Sequence, residues 1–190
     1  MSSFQLYLTL GFHHIINIQG YDHIVFVLTL CAAYPFSEIK KVLILITAFT
    51  IGHSVTLALS TLNYVLIPAP LIEFLIPVTI LITAISNVFP AKKGRQKLIY
   101  TIALFFGLVH GLGFSNYLKE LLGAETSIVQ PLLAFNVGLE IGQIVILAVY
   151  FTILGLSLKL LHLKHSVWRI FISGAAAGIA LTLIIQNKIW

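Results

Sequence analysis

Long apolar runs separated by short polar segments make up most of the chain. Runs of this length suit helices that cross a hydrocarbon core of about 30 Å, because an α-helix rises about 1.5 Å per residue. The pattern predicts an all-α fold, a polytopic helical membrane bundle that forms a single transmembrane domain over residues 1–190. The predicted helices cover about 4–18, 22–34, 42–62, 71–89, 98–114, 131–161 and 170–186.

The first apolar stretch, residues 4–34, is too long for one helix within the membrane. A straight helix of that length would run roughly 45 Å, so we predict a break at Gly20. Each half, of about 15 residues, reaches only about 22 Å, which places the turn below the membrane surface. His14, Asp22 and His23 would then lie within the bilayer, where an ionisable group is costly and marks function.

Composition excludes a soluble globular domain. The chain is 59% hydrophobic and 9% charged, whereas soluble domains are about 25% charged. Continuous apolar runs also argue against a β-barrel, whose strands alternate. The net charge of +5 comes mostly from short loops, so it does not indicate a nucleic-acid partner. Cys31 is the only cysteine, which excludes an intrachain disulfide, and the N-terminal residues do not resemble a cleaved signal peptide.

Loop charge orients the bundle, because Lys and Arg concentrate in cytoplasmic loops. Every second loop is basic, whereas the loop over 61–70 carries no basic residue and the mixed-charge loop over 116–130 carries only Lys119. The alternation predicts seven helices with the N-terminus inside and the C-terminus outside, or six if the first helix is re-entrant. The basic residues are Lys40, Lys41, Lys92, Lys93, Arg95, Lys97, Lys159, Lys164 and Arg169.

In this topology six ionisable side chains share one depth, in the outer half of the bilayer. Asn136, Glu140 and Gln143 follow each other at helical spacing, so the acid has polar neighbours on its own face. Gly107 and Gly111 flank His110 and would let a neighbouring backbone approach closely. The six candidate metal ligands are His14, Asp22, His23, His53, His110 and Glu140.

Imidazoles and carboxylates in a dry bundle are the donors that a divalent transition metal requires. Nickel, cobalt or zinc fit this set. Copper(I) prefers sulfur, and the chain offers only Cys31 and Met1. Asp22 or Glu140 could bind the ion directly or orient a ligating imidazole, with Asn136 and Gln143 as further supporting groups.

Four segments resemble the HupE/UreJ family in order along the chain. They are GFHHI followed by GYDHIVF, FTIGHSVTL, FGLVHGLGF and FNVGLEIGQ, which together extend from Gly11 to Gln143. The resemblance implies a multi-pass protein of the bacterial inner (cytoplasmic) membrane that serves hydrogenase or urease maturation as a nickel or cobalt permease.

Each candidate also has a purely structural interpretation. Asp22 could be the N-cap of the second helix. Thr50, Ser54 and Thr56 could satisfy the imidazole of His53, and Glu140 could be protonated and bonded to Asn136 or Gln143. His13 faces away from His14 and reads as a loop or interface residue. We expect His162 and His165 to be solvated in a basic loop, and Gly174 and Gly178 to serve helix packing.

Three functions remain open. A permease would capture a divalent metal from the periplasmic side and release it inward. An intramembrane metallohydrolase would use a metal-activated water with Glu140 or Asp22 as general base. A metal-binding accessory or sensor protein would keep a closed site. The resemblance favours the permease, while the depth of the site on one side favours the enzyme; the oligomeric state stays open.

The basic loops generate a topology prediction. A reporter fused after Lys97 should behave as cytoplasmic and one fused after Thr126 as periplasmic, because one helix separates a basic loop from a nearly neutral one. Paired activity of a periplasmic and a cytoplasmic reporter at each position measures this. The same side for both fusions would contradict the assigned helix between them.

Overall fold

The computed structural model describes residues 2–89, 94–122 and 127–189, apart from the side chain of Asn116. Over these ranges the chain is all-helical and has no strand, which confirms the predicted fold class. The helices are α1 (Ser3–Ile16), α2 (Asp22–Ala32), a 3-10 turn (Phe36–Glu38), α3 (Ile39–Thr61), α4 (Ala69–Val88), α5 (Gln96–Gly113), α6 (Ser115–Leu122), α7 (Val129–Leu160) and α8 (His165–Gln186). Of the residues named above, Met1, Lys92, Lys93 and Thr126 lie outside the described ranges.

Five helices in the described ranges are long and apolar enough to cross a membrane. They are α3 with its preceding 3-10 turn, α4, α5, α7 and α8. The helices α1 and α2 have 14 and 11 residues, about 21 and 16 Å, so neither reaches across a 30 Å core alone. The break predicted at Gly20 is confirmed, because the residues between Ile16 and Asp22 are not helical.

Two predicted loops contain helix. The segment predicted as a mixed-charge loop begins with α6, because Leu118 and Leu122 bury one apolar side of it in the core. The last helix begins at His165, within the predicted basic loop. Its first turns are held by Trp168, which is buried and donates from Nε1 to the hydroxyl of Tyr150 at 3.0 Å.

Glycines bring α3 and α5 into backbone contact. A Cβ on Gly107 would overlap the carbonyl oxygen of Phe49, and one on Gly111 would overlap that of His53. Gly52 meets the backbone of Leu104 in the same way from the opposite side. The close approach predicted for the two glycines beside His110 is thus confirmed, and it fixes the heights of His53 and His110 relative to each other.

Glycines also allow close contact between α1 and α7, and these two helices run in the same direction. Gly11 abuts the backbone of Phe135, Gly138 abuts that of Leu8, and Gly142 abuts Ile15. The helix α2 continues the course of α1. It begins where His23 approaches His53 and ends where Thr29 accepts a bond from Asn87, near the far end of α4. The two short helices are therefore successive halves of one interrupted helix.

The bundle has two distinct ends. At the histidine end α3, α5 and α8 finish and α4 and α7 begin, as the bonds from Ser60 to Ser115 and from Asn187 to the carbonyl of Glu73 indicate. The basic end, opposite, carries Lys41, Arg95 and Arg169. Because α1 runs parallel to α7, the N-terminus lies at the histidine end together with the C-terminus. The predicted arrangement had the termini on opposite sides, with α1 and α2 crossing in opposite directions; in the described residues both run from the histidine end toward the basic end. The number of membrane crossings stays a prediction. Which side of the membrane each end faces stays a prediction.

Replacement of Gly107 by Ala should destabilise the bundle by about 1–3 kcal/mol or more, because the new methyl group meets backbone that cannot move aside. Gly178→Ala is the matched control, since nothing lies within 4 Å of a Cβ at Gly178 or at Gly174. The packing contacts expected of these two glycines are absent from the described residues for the same reason. Thermal unfolding of detergent-solubilised protein measures both variants, and equal midpoints would contradict the backbone contact.

Candidate metal centre

Four histidines meet where the interrupted helix faces α3 and α5. His14 lies in the last turn of α1, and His23 in the first turn of α2, so the break places one imidazole on each side. The ring centroids of His14 and His23 are 4.6 Å apart. His53 lies 5.9 Å from His14 and 5.8 Å from His23, and His110 lies 5.2 Å from His23, all between centroids.

These imidazoles are deeply buried. His23, His53 and His110 are 5%, 1% and 0% exposed, respectively. Phe26 and Phe49 contact the ring of His110 at centroid distances of 4.8 and 5.1 Å on the side toward the basic end. Phe114 covers His14 at 4.1 Å. Aromatic rings thus replace water around most of the cluster.

Hydrogen bonds hold two of the rings, and other ring nitrogens in the cluster have no partner. Asp22 Oδ1 lies 3.0 Å from His23 Nδ1, and Thr79 Oγ1 lies 2.9 Å from His110 Nε2. The other nitrogen of each of these rings has no partner and is shielded from solvent, as are His14 Nε2 and both nitrogens of His53. A buried polar atom without a partner costs about 1–3 kcal/mol. Several such nitrogen atoms in one cluster of imidazoles indicate a site for a group that imidazole nitrogen can bind.

The donor set fits a divalent transition metal. Imidazoles bound to one ion at about 2.0–2.1 Å have centroids roughly 5 Å apart, which is close to the spacings here. Within the described ranges, however, no group of three His, Cys, Asp or Glu side chains could hold one metal ion together as they stand. Binding of one ion by three of these side chains would therefore require them to move from their present positions.

Asp22 is the first residue of α2 and does not act as its N-cap. The N-cap position is occupied by Tyr21, which has no side-chain capping bond. The Asp22 carboxylate accepts from the backbone N–H of His23 at 2.9 Å as well as facing its ring. A carboxylate bonded to one nitrogen of an imidazole fixes the ring and raises its basicity toward an ion at the other nitrogen.

The hydroxyl groups that could have satisfied His53 are bonded elsewhere. Thr50 donates to Gln143 Oε1 at 2.8 Å, and Thr56 donates to the backbone carbonyl of Leu108 at 2.7 Å. Ser54 Oγ bonds Asn136 Oδ1 at 2.6 Å. These contacts therefore argue against a purely structural role in which the hydroxyl groups hydrogen-bond the His53 ring.

Glu140 lies apart from the histidines. Its Oε1 accepts from Thr47 Oγ1 at 3.3 Å, and Thr47 precedes His53 by six residues on α3, about 9 Å along the axis toward the basic end. The predicted polar stripe on α7 is present, and each of its members bonds a hydroxyl group of α3. Of the six predicted ligands, the structure brings together His14, Asp22, His23, His53 and His110, and leaves Glu140 outside.

Two features of the site were missed by the sequence interpretation. Thr79 belongs to an apolar helix whose sequence gives no sign that it faces His110. A pocket of about 690 Å³ also reaches His14 from the surface, and its wall includes His13, Asn17, Gln19 and Tyr117. The clustering of polar residues at the predicted helix break was the signal available for this pocket.

Other singled-out residues lie elsewhere. His162 is exposed, as predicted, whereas His165 is half-buried with Nε2 shielded from solvent, because α8 begins there. Cys31 is fully buried in an apolar cluster with Val27 and Tyr150 and does not join the histidines.

Comparison with known proteins places the whole chain in one family. The family model described as HupE / UreJ protein matches residues 1–188. No curated protein and no solved structure matched the chain. The match agrees with the resemblance in the four segments that carry the site residues. This protein, a helical membrane protein with clustered histidines, belongs to the HupE/UreJ family.

Proposed function

We propose that the protein is a permease for a divalent transition metal of the nickel and cobalt class, in the bacterial inner membrane. The ion would enter from the histidine end, bind among the four imidazoles and leave toward the basic end. Membership of the HupE/UreJ family supports this substrate class.

The interrupted helix carries the proposal. Substrate sites of many secondary transporters lie where a membrane-spanning helix is broken near the middle of the bilayer. Here the break between α1 and α2 brings His14 and His23 to His53, which lies three residues from the middle of α3, about 4.5 Å. The carboxyl-terminal end of α1 also presents carbonyl groups, which favour a cation.

An entry route is supported by the pocket at His14. Its wall carries His13, Asn17 and Gln19. Their side chains can replace water molecules bound to a hydrated metal ion before the ion reaches the buried imidazoles. His13, interpreted as a loop residue from the sequence, would be a first contact on this route.

An inward route is supported by the polar contacts between α3 and α7. On the basic-end side of His53 along α3, Thr50 bonds Gln143 and Thr47 bonds Glu140. The Gln143 Nε2 is buried without a partner. Glu140 is half-buried at the surface of the bundle, and a carboxylate at this depth would attract the cation once it leaves the imidazoles.

The contacts give less support to the hydrolase. A general base must lie within hydrogen-bond reach of the metal-bound water. Glu140 bonds Thr47 about 9 Å along α3 from His53, and Asp22 is occupied by His23. A closed accessory or sensor site is less favoured because the pocket reaches His14.

Replacement of His53 or His110 by Ala should lower bound nickel or cobalt at least about tenfold. Loss of a group that merely orients a ligand already costs 10–100-fold, so loss of a ligand should cost no less. Elemental analysis of purified protein after incubation with each metal measures this. His162→Ala is the matched control, because that side chain is exposed. Unchanged metal content in the two site variants would contradict the centre itself.

Glu140→Gln should leave metal bound at the histidines and reduce uptake into proteoliposomes roughly tenfold or more, because the amide keeps the volume and loses the charge on the inward route. Metal content and entry of nickel or cobalt are measured side by side. Glu73→Gln, an exposed acid on α4 at the histidine end, is the control. Loss of bound metal in Glu140→Gln would make the carboxylate a ligand, as first predicted from the sequence. Wild-type vesicles that bind metal without uptake would overturn the permease.

A further inference from the structure

A second cavity, of about 830 Å³, lies at the basic end of the bundle, away from the histidines. Its walls come from α2, α3, α4, α5 and the start of α8. The volume falls within the range of about 300–1,000 Å³ usual for ligand sites. The proposed metal route does not use it.

The interior of this cavity presents an apolar surface to a ligand. Leu30, Leu45 and Phe106 line its inner part. The polar side chains on its α4 wall are already satisfied within the chain, since Thr83 donates to the carbonyl of Thr79 and Asn87 donates to that of Thr29. They therefore offer little to a polar solute, and the surface suits a hydrocarbon chain.

Cations lie at the rim. Lys41 is neutralised by an ion pair with Glu38. No ion pair is formed by Arg95 or Arg169 in the described residues, and both line the cavity. The Nε of Arg169 is shielded from solvent and has no hydrogen-bond partner. The guanidinium group of an arginine that forms no ion pair favours an anion, because its planar set of N–H donors matches phosphate oxygens.

We propose that this cavity binds one acidic phospholipid from the leaflet at the basic end, with the headgroup phosphate on Arg95 and Arg169 and an acyl chain along the apolar wall. Basic pockets between membrane helices recognise such lipids by the same combination of charge and hydrocarbon contact. The two unpaired arginines disfavour the alternative that the cavity is an exit for a divalent cation, which they would repel.

The test counts bound lipid by native mass spectrometry on protein extracted from bilayers of phosphatidylglycerol and phosphatidylcholine. Wild-type protein should retain one phosphatidylglycerol in preference to phosphatidylcholine. Arg95→Gln and Arg169→Gln should each weaken retention roughly fivefold, and the double variant roughly twenty-five-fold. Lys97→Gln, which removes an exposed cation at the same end outside the cavity wall, should retain lipid as wild type does.

A second variant tests the hydrocarbon part and leaves every charge in place. Ile102 lines the cavity and is 40% exposed, so Ile102→Trp should narrow the space without disturbing the core and should also lower retention. Equal retention of both lipids by wild type, or undiminished phosphatidylglycerol in the double arginine variant, would overturn the proposal. Thermal stabilisation by glycerol phosphate equal to that by phosphatidylglycerol would overturn it as well, because the ligand would then be a soluble phosphate. Since the readout is lipid count, the result is independent of metal transport.

Discussion

Direct contact between helix backbones is the constraint on which the rest of the structure depends. Gly107 and Gly111 seat α5 against α3, and Gly11 and Gly138 seat α1 against α7. Within a membrane no hydrophobic driving force joins helices, so association rests on close packing of this kind. The two contacts hold three of the four histidine-bearing helices at fixed heights, and α2 completes the set because it continues from α1. The backbone around the site is therefore held in place by direct helix packing.

The sequence predicted more of the site than of the topology. The hydrophobic runs were enough to predict an all-helical bundle and to locate the break at Gly20. The free-energy cost of an ionisable side chain in a membrane was enough to select the histidines that meet. These signals are local. The direction of α1 depends on distant contacts. The hydrophobicity of a helix of 14 residues does not show in which direction the helix crosses the membrane, and only the contacts of Gly11 with Phe135 and of Ile15 with Gly142 fix that direction. For the same reason Thr79 could not be assigned to His110, and Glu140 was grouped with the histidines although its hydrogen bond is with Thr47.

Charge divides the half of the bundle toward the basic end into two regions. Between α3 and α7 lie Glu140, the amides of Asn136 and Gln143 and the hydroxyl groups bonded to them, all of which tolerate a cation. Between α2, α4, α5 and α8 lie Arg95 and Arg169, which favour an anion. The aromatic rings of Phe26 and Phe49 lie between the histidines and the second region. A metal ion and an acidic lipid could thus be present at once without sharing a path.

The length of α7 couples the polar contacts to the thickness of the membrane. Its 32 residues span about 48 Å, and even a tilt of about 40° leaves roughly 37 Å along the bilayer normal, more than the hydrocarbon core of about 30 Å. Its partner α3, with 23 residues, spans about 34 Å and fits almost upright. Hydrophobic mismatch therefore acts unequally on the two helices. We expect a thinner bilayer to increase the tilt of α7 relative to α3, and this tilt would strain the bonds from Thr50 to Gln143 and from Thr47 to Glu140.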